Sequence, residues 1–278
     1  GFVDFNRPMV AINQWEQAED SMYTLCGKDR IHPSTDGHLV MAYLFLKAQG
    51  LAGKPVADIR IDGAGKKVTR SDNCRVSDLS VSSDNLTFTY EAKSLPYPID
   101  TSYYDNEKHT QADALSVIPF MDEMNYEGLS VSGLSDGYYG LTIGGEFIGR
   151  FTARELERGI NMTLLQNTPQ YKQAMKIRQM NEERWLKERK MREFYWVEYN
   201  LMRKTGMLWA CNEAAVDTLR KYRPHDIFLQ WNGDLWLQYM HKGIREDCVN
   251  EQQDLVNRIY EQNKPIPLRI EIKKFTDL

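Results

Sequence analysis

The hydrophobic pattern changes period four times along this chain. Phe2 to Phe5 alternates briefly and predicts a short strand, and Pro8 opens a helix to about Glu19 with Met9, Ile12 and Trp15 on one face. A polar turn from Cys26 to Pro33 follows. Ser34 or Thr35 then caps a second helix with an apolar face of Leu39, Tyr43 and Leu46, ending at Gly50. From about Lys54 to Phe151 the period becomes two. Val56 to Ile61 and Leu86 to Tyr90 alternate, and Gly144-Gly145 between Tyr138–Ile143 and Glu146–Phe151 predicts a hairpin. The stretch Leu95 to Asp113 predicts a long loop.

Beyond Thr152 the pattern is helical. Thr152 to Glu155 fits a capping box. Pro169 begins a helix reaching about Lys204, on the order of 55 Å long. Its middle is a solvated charged face, with Glu183/Lys187 and Glu188/Arg192 as favourably ordered pairs. Two more helices are expected near 212–223 and 234–262, and Leu268 to Ile272 alternates as a final strand. Three domains follow from this order: residues 1–52, α/β in texture; 53–151, β-rich; and 152–278, mainly helical with a closing strand.

Composition narrows the class. The 278 residues suffice for one large domain or two ordinary ones, and a net charge of −4 from 35 basic and 39 acidic residues gives no basic surface for nucleic acid. No apolar run reaches the roughly 18 residues of a membrane span. The start lacks the basic and apolar regions of a signal peptide. Cys26, Cys74, Cys211 and Cys248 form no zinc-type pair and read as buried thiols; no metal or organic cofactor is indicated.

One segment carries chemistry: Asp29-Arg30-Ile31-His32-Pro33-Ser34-Thr35-Asp36-Gly37-His38. An Asp three residues before a His in a turn can place its carboxylate on Nδ1, which fixes the tautomer and leaves Nε2 to take a proton from a serine hydroxyl. Pro33 keeps His32 out of the α region. Alone, Asp-x-x-His is a common pattern. Its flanks make it specific. Asp29 to Pro33 followed by Gly37-His38-Leu39-Val40-Met41-Ala42, with Val3 to Met9 before it, resembles the last block of SGNH/GDSL-type serine esterases.

That resemblance covers residues 1 to about 52. It implies the C-terminal part of a flavodoxin-like α/β/α hydrolase domain, followed here by the β-rich and long-helix segments. It also implies a Ser-His-Asp esterase in which His32 is the general base, then general acid, and Asp29 orients it. The family's Gly-Asp-Ser block is absent from these residues; Gly133 to Gly137 has the wrong order, and Asn181 and Asn212 lack the family's flanks. The serine is therefore expected upstream, in a missing N-terminal part of the hydrolase domain. Likeness of later segments to extensions of bacterial family members implies a carbohydrate O-acetyl ester as substrate and, by analogy, an extracytoplasmic location.

Blander readings stand beside these. His38 packs or caps; His109 has no evident partner; His225 and His241 are isolated; Asp36 is a second carboxylate near His32 or an ordinary helix-start acid. The aromatic set from Trp185 to Trp209 reads as a packing seam, the alternative being a sugar or acyl pocket. The long helix offers a surface for a homodimer or a lid. The rival function is a non-catalytic module binding a glycan or protein.

Overall fold

The computed structural model describes residues 1–102 and 109–275. The chain divides into two units: Gly1–Met175 with Lys264–Leu278, and Lys176–Asn263.

The first unit is mixed α/β. In chain order it contains α1 (Asn6–Glu16), α2 (Thr35–Ala48), β1 (Ala57–Asp62), β2 (Lys67–Asp72), β3 (Cys74–Val81), β4 (Asn85–Ala92), α3 (Phe120–Glu123), β5 (Glu127–Ser132), β6 (Tyr138–Ile143), β7 (Glu146–Thr152), α4 (Ala153–Arg158) and β8 (Ile160–Asn161). The chain returns from the second unit to add β9 (Leu268–Lys274). Two sheets result, ordered β2-β1-β5-β8 and β3-β4-β9-β6-β7. The β1–β5 pair is parallel, with Ile59 opposite Leu129. β9 is antiparallel to both β4 and β6.

Period-two alternation puts Leu86, Phe88 and Tyr90 of β4 and Ile270 and Ile272 of β9 into one core. Ile59, Ile61, Leu129 and Val131 of the other sheet join the same core. Burying a large aliphatic or aromatic side chain contributes about 1.5–3 kcal/mol, so this cluster holds the two sheets face to face. One carboxyl lies inside it. Glu127 is buried, accepts the Tyr90 hydroxyl at 2.7 Å and Gln170 Nε2 at 3.3 Å, and burial pushes its carboxyl above the usual range.

A second core of this unit sits under α2. Leu39, Val40 and Tyr43 pack with Leu25, Ile99, Ala114, Ile118 and Phe120. The Tyr43 hydroxyl and Lys47 both reach Glu123, at 2.8 and 2.9 Å.

The second unit is helical: α5 (Pro169–Val197, beginning in the first unit), α6 (Glu213–Tyr222), α7 (Ile227–Tyr239) and α8 (Lys242–Gln262). Phe194, Val197, Met202, Leu219, Leu229 and Trp236 form its core. After Val197 the helix widens into one π turn, Glu198–Met202. Within that turn the buried Glu198 carboxylate accepts Trp236 Nε1 at 2.8 Å and the Trp209 backbone N–H at 2.9 Å.

Several element-level expectations change. Gly1–Phe5 is no strand. The Phe5 carbonyl accepts Met9 N and the Asp4 carboxylate accepts Arg7 N, so these residues lead directly into α1. The single helix expected over 234–262 is two, broken at Met240–His241, where Arg245 Nη1 caps the free carbonyls of Tyr239 and Met240. Of the long loop expected over 95–113, residues 103–108 lie outside the described residues, and Gln111–Ser116 forms a 3-10 turn boxed by Thr110 and Asp113. The hairpin at Gly144-Gly145 and the capping box of Thr152 and Glu155 form as the sequence implies.

Candidate functional site

The turn from Leu25 to Gly37 is pinched at its base. Cys26 and Pro33 form an isolated antiparallel bridge, and Gly27 N donates to His32 O at 2.7 Å. The buried Leu25 anchors one arm in the core under α2. Its carbonyl accepts Ser34 N at 3.0 Å and the Ser34 hydroxyl at 3.1 Å, tying the first residue before α2 to the arm that precedes the turn. At the tip Arg30 adopts φ +56°, the left-handed region a tight reversal demands.

Asp29 organises the tip. Its Oδ1 accepts the backbone N–H groups of Ile31 and His32, at 2.9 and 3.1 Å. That fixes the carboxylate plane and leaves Oδ2 for His32 Nδ1, at 2.6 Å. With Nδ1 held as the donor, the neutral ring carries its lone pair on Nε2. Nε2 has no hydrogen-bond partner among the described residues, and the His32 side chain is 83% exposed. The arrangement is that of an oriented base whose accepting nitrogen faces outward.

The contact with His32, reinforced by the two backbone N–H groups, lowers the Asp29 carboxyl to about 2. Because the folded value lies below the ordinary 3.8, the contribution of this contact is present above that value and is lost as pH falls through about 2. We expect a carbon-detected NMR titration to place the Asp29 carboxyl near 2, and His32→Ala to return it towards 3.8. An unshifted Asp29 in the parent chain would show the pair to be apart in solution.

Beneath the turn lies a second layer that the sequence did not disclose. Asp36, in the first turn of α2, is buried and points inward, accepting Gly37 N at 2.8 Å and contacting the Ser34 hydroxyl. His109 Nδ1 approaches Asp36 Oδ2 at 3.7 Å, and its ring meets the Tyr23 ring edge-on with centroids 6.3 Å apart. Burial, with Asp36, Glu16 and Asp113 nearby, pushes the Tyr23 hydroxyl up to about 12. His109 therefore has a partner 73 residues away in sequence, which no local motif signals. Asp36 supports the turn from below, and His38 is exposed on α2.

Other candidates are placed elsewhere. Ser135 Oγ is taken up by Lys274 Nζ at 2.8 Å and Tyr139 Oη at 3.1 Å. His225 and His241 lie in the helical unit. Among the described residues no group of three or more His, Cys, Asp or Glu could hold a metal ion, and the four cysteines are free thiols. Among the described residues no helix is long and apolar enough to cross a membrane.

Residues 175–264 match the family described as the diltiazem deacetylase C-terminal helical domain. The whole chain is similar to a solved structure described as a gut microbial diltiazem-metabolizing enzyme. The TM-score is 0.93 at 42% sequence identity, over 99% of this chain and 62% of that one. This chain thus spans less than two thirds of its structural relative. No match is found among the curated proteins.

Proposed function

We propose that this chain is the Asp/His-bearing part of a serine-dependent ester hydrolase of the SGNH/GDSL type, acting on a carboxylic ester such as an O-acetyl group on a carbohydrate. The observation that carries the reading is the 2.6 Å contact between Asp29 Oδ2 and His32 Nδ1, with Nε2 left outward. The similarity to a deacetylase domain and to a diltiazem-metabolizing enzyme favours removal of an acyl group.

In this reading a serine from polypeptide beyond these 278 residues meets Nε2. His32 takes the hydroxyl proton as the serine oxygen attacks the ester carbonyl, and Asp29 stabilises the imidazolium. The proton passes to the departing alcohol, leaving an acyl-serine. Water, deprotonated by the same Nε2, then releases the acid and restores the serine.

The surface around the turn supports an adjoining segment of the hydrolase domain. α1 buries none of its 11 residues, and Trp15 (79%), Phe2 (88%) and Ile31 (75%) are largely exposed. A helix this short gains little from its own hydrogen bonds and depends on packing; Met9 and Ile12 already pack against the core under α2, and the exposed Trp15 suits burial against further protein.

The test is direct. The purified 278-residue chain should hydrolyse 4-nitrophenyl acetate no faster than free imidazole of equal concentration, because the nucleophile is absent. Brisk turnover abolished by a serine-directed phosphonate would place a nucleophile inside the chain and overturn this division of the site.

A further inference from the structure

Glu127 opens β5 at the seam between the two sheets, with none of its surface exposed. Tyr90 of β4, in the other sheet, donates its hydroxyl to Glu127 Oε1 at 2.7 Å. Gln170, in the first turn of α5, holds its amide nitrogen 3.3 Å from both carboxyl oxygens. That is longer than the roughly 2.7–3.2 Å of an N–H···O bond. The Gln170 Oε1 atom is buried and has no partner among the described residues. No cation reaches Glu127 among the described residues. Asp58, buried on the neighbouring β1, is by contrast paired with Arg60 at 3.1 Å and Arg70 at 2.9 Å.

We propose that Glu127 is kept as the neutral acid, and that its proton is an alkaline-sensitive latch joining both sheets to the first turn of α5. A carboxylate stripped of water and given no countercharge is costly, and such a group keeps its proton instead. The neutral acid also accounts for the amide. Turned end for end, the Gln170 side chain presents its Oε1 to the Glu127 hydroxyl. The two long contacts become one bond, and the orphan acceptor gains a donor. The Tyr90 hydroxyl still donates to the other carboxyl oxygen. One proton thus closes a chain from β4 through β5 to α5.

The ionisable groups packed around this chain do not reverse it. Tyr90, and Cys74 of β3 in the same core, are themselves acids pushed up by burial. Asp58 on β1 is already paired, and Lys172 on α5 is held by Glu146. From β8 only the uncharged Asn161 is in contact, taking the Glu127 backbone N–H at 3.0 Å. Burial raises the Glu127 carboxyl above its ordinary 4.5. The contribution of the latch is therefore complete below 4.5 and is lost as pH rises through the folded value. Nothing in this depends on His32, so the latch stands or fails apart from ester hydrolysis.

Glu127→Gln is the permanently closed form, since its amide can accept from Tyr90 and donate to Gln170. Urea unfolding of the 278-residue chain and of this variant, followed from pH 4.5 into the alkaline range, reads the latch. The midpoint of the parent should fall relative to that of the variant as pH rises. The ratio of the two unfolding constants should change about tenfold for each unit by which the folded carboxyl exceeds 4.5. At alkaline pH the backbone amides of β4, β5 and residues 169–172 should exchange faster in the parent than in Glu127→Gln. Parallel pH curves for the two proteins would overturn the proposal. A carbon-13 titration of the Glu127 side chain in the parent tests it without any variant. Retention of the proton well beyond 4.5 is expected, and ionisation at or below 4.5 would leave a carboxylate and no latch.

Discussion

His32→Ala, made in the protein expressed from the complete coding sequence, is expected to lower kcat for 4-nitrophenyl acetate by about 10⁴-fold or more. In the proposed mechanism the imidazole serves both proton transfers, so its loss would leave the serine hydroxyl without a base and the leaving alcohol without an acid. What remains would come from oxyanion stabilisation and binding, which are worth a residual acceleration of their own. KM should change little, because the ring is held by Asp29 and by its own backbone rather than by substrate. Folding should survive, since the side chain is largely exposed.

Asp29→Asn separates orientation from proton transfer. The amide oxygen can still accept Ile31 N and His32 N, but an amide nitrogen facing Nδ1 favours the opposite tautomer and turns a protonated Nε2 toward the serine. A loss of roughly 10⁴-fold is expected, no larger than that of His32→Ala and eased where hydroxide replaces the base. Both are read from initial rates across a pH series. If His32→Ala retained most of the parental kcat, the imidazole would have no role as base and the proposed mechanism would fail.

Much of the fold was legible because local physics set it. β4 and β9 alternate in sequence and bury alternate residues in the structure. The Gly-Gly hairpin supplies the positive φ angles its turn requires, +59° and +85°. What local pattern could not show was pairing at a distance. β9 lies between β4 and β6, pairing Ile272 with Leu86 and Leu141 across well over a hundred residues. The parallel β1–β5 contact depends likewise on connections that no period reveals. The break at Met240–His241 escaped notice because no proline marks it and Gly243, two residues on, lies inside the first turn of α8; the long Arg245 side chain satisfies the exposed carbonyls.

The same division holds at the site. Asp29 and His32 were visible because a three-residue spacing in a turn brings their side chains together through local geometry. The layer beneath them was not. Asp36 reads as a second carboxylate near His32 or as an ordinary acid at a helix start, and its inward orientation comes from Ser34 and from His109, which arrives on a distant segment. The aromatic set of the helical unit divides in a way the sequence leaves open. Phe194 is fully buried in the helical core, while Trp185, Tyr195, Tyr199 and Trp209 remain substantially exposed. Helical spacing places these residues on neighbouring faces, but only the positions of α6, α7 and α8 determine which face is covered.

Gly37→Ala is expected to destabilise the first unit by about 3 kcal/mol, although the residue lies in a helix, where alanine is ordinarily preferred to glycine by about 1 kcal/mol. Steric crowding outweighs the propensity. A Cβ at this position would stand 2.0 Å from the Leu25 carbonyl oxygen, 3.1 Å from its carbon and 3.2 Å from Pro33 Cβ. The oxygen cannot simply retreat. It accepts both Ser34 N and the Ser34 hydroxyl, and the Leu25 side chain is locked in the core with Leu39 and Val40. Relief must come from parting the two arms of the turn, which opens the Cys26–Pro33 bridge and releases the geometry that holds Asp29 against His32. Urea unfolding of Gly37→Ala should therefore show a lower midpoint, and the Asp29 carboxyl should move up from about 2 toward 3.8 in the fraction that remains folded. A variant as stable as the parent, or more stable by the helix-propensity gain, would mean that α2 and the turn do not approach this closely.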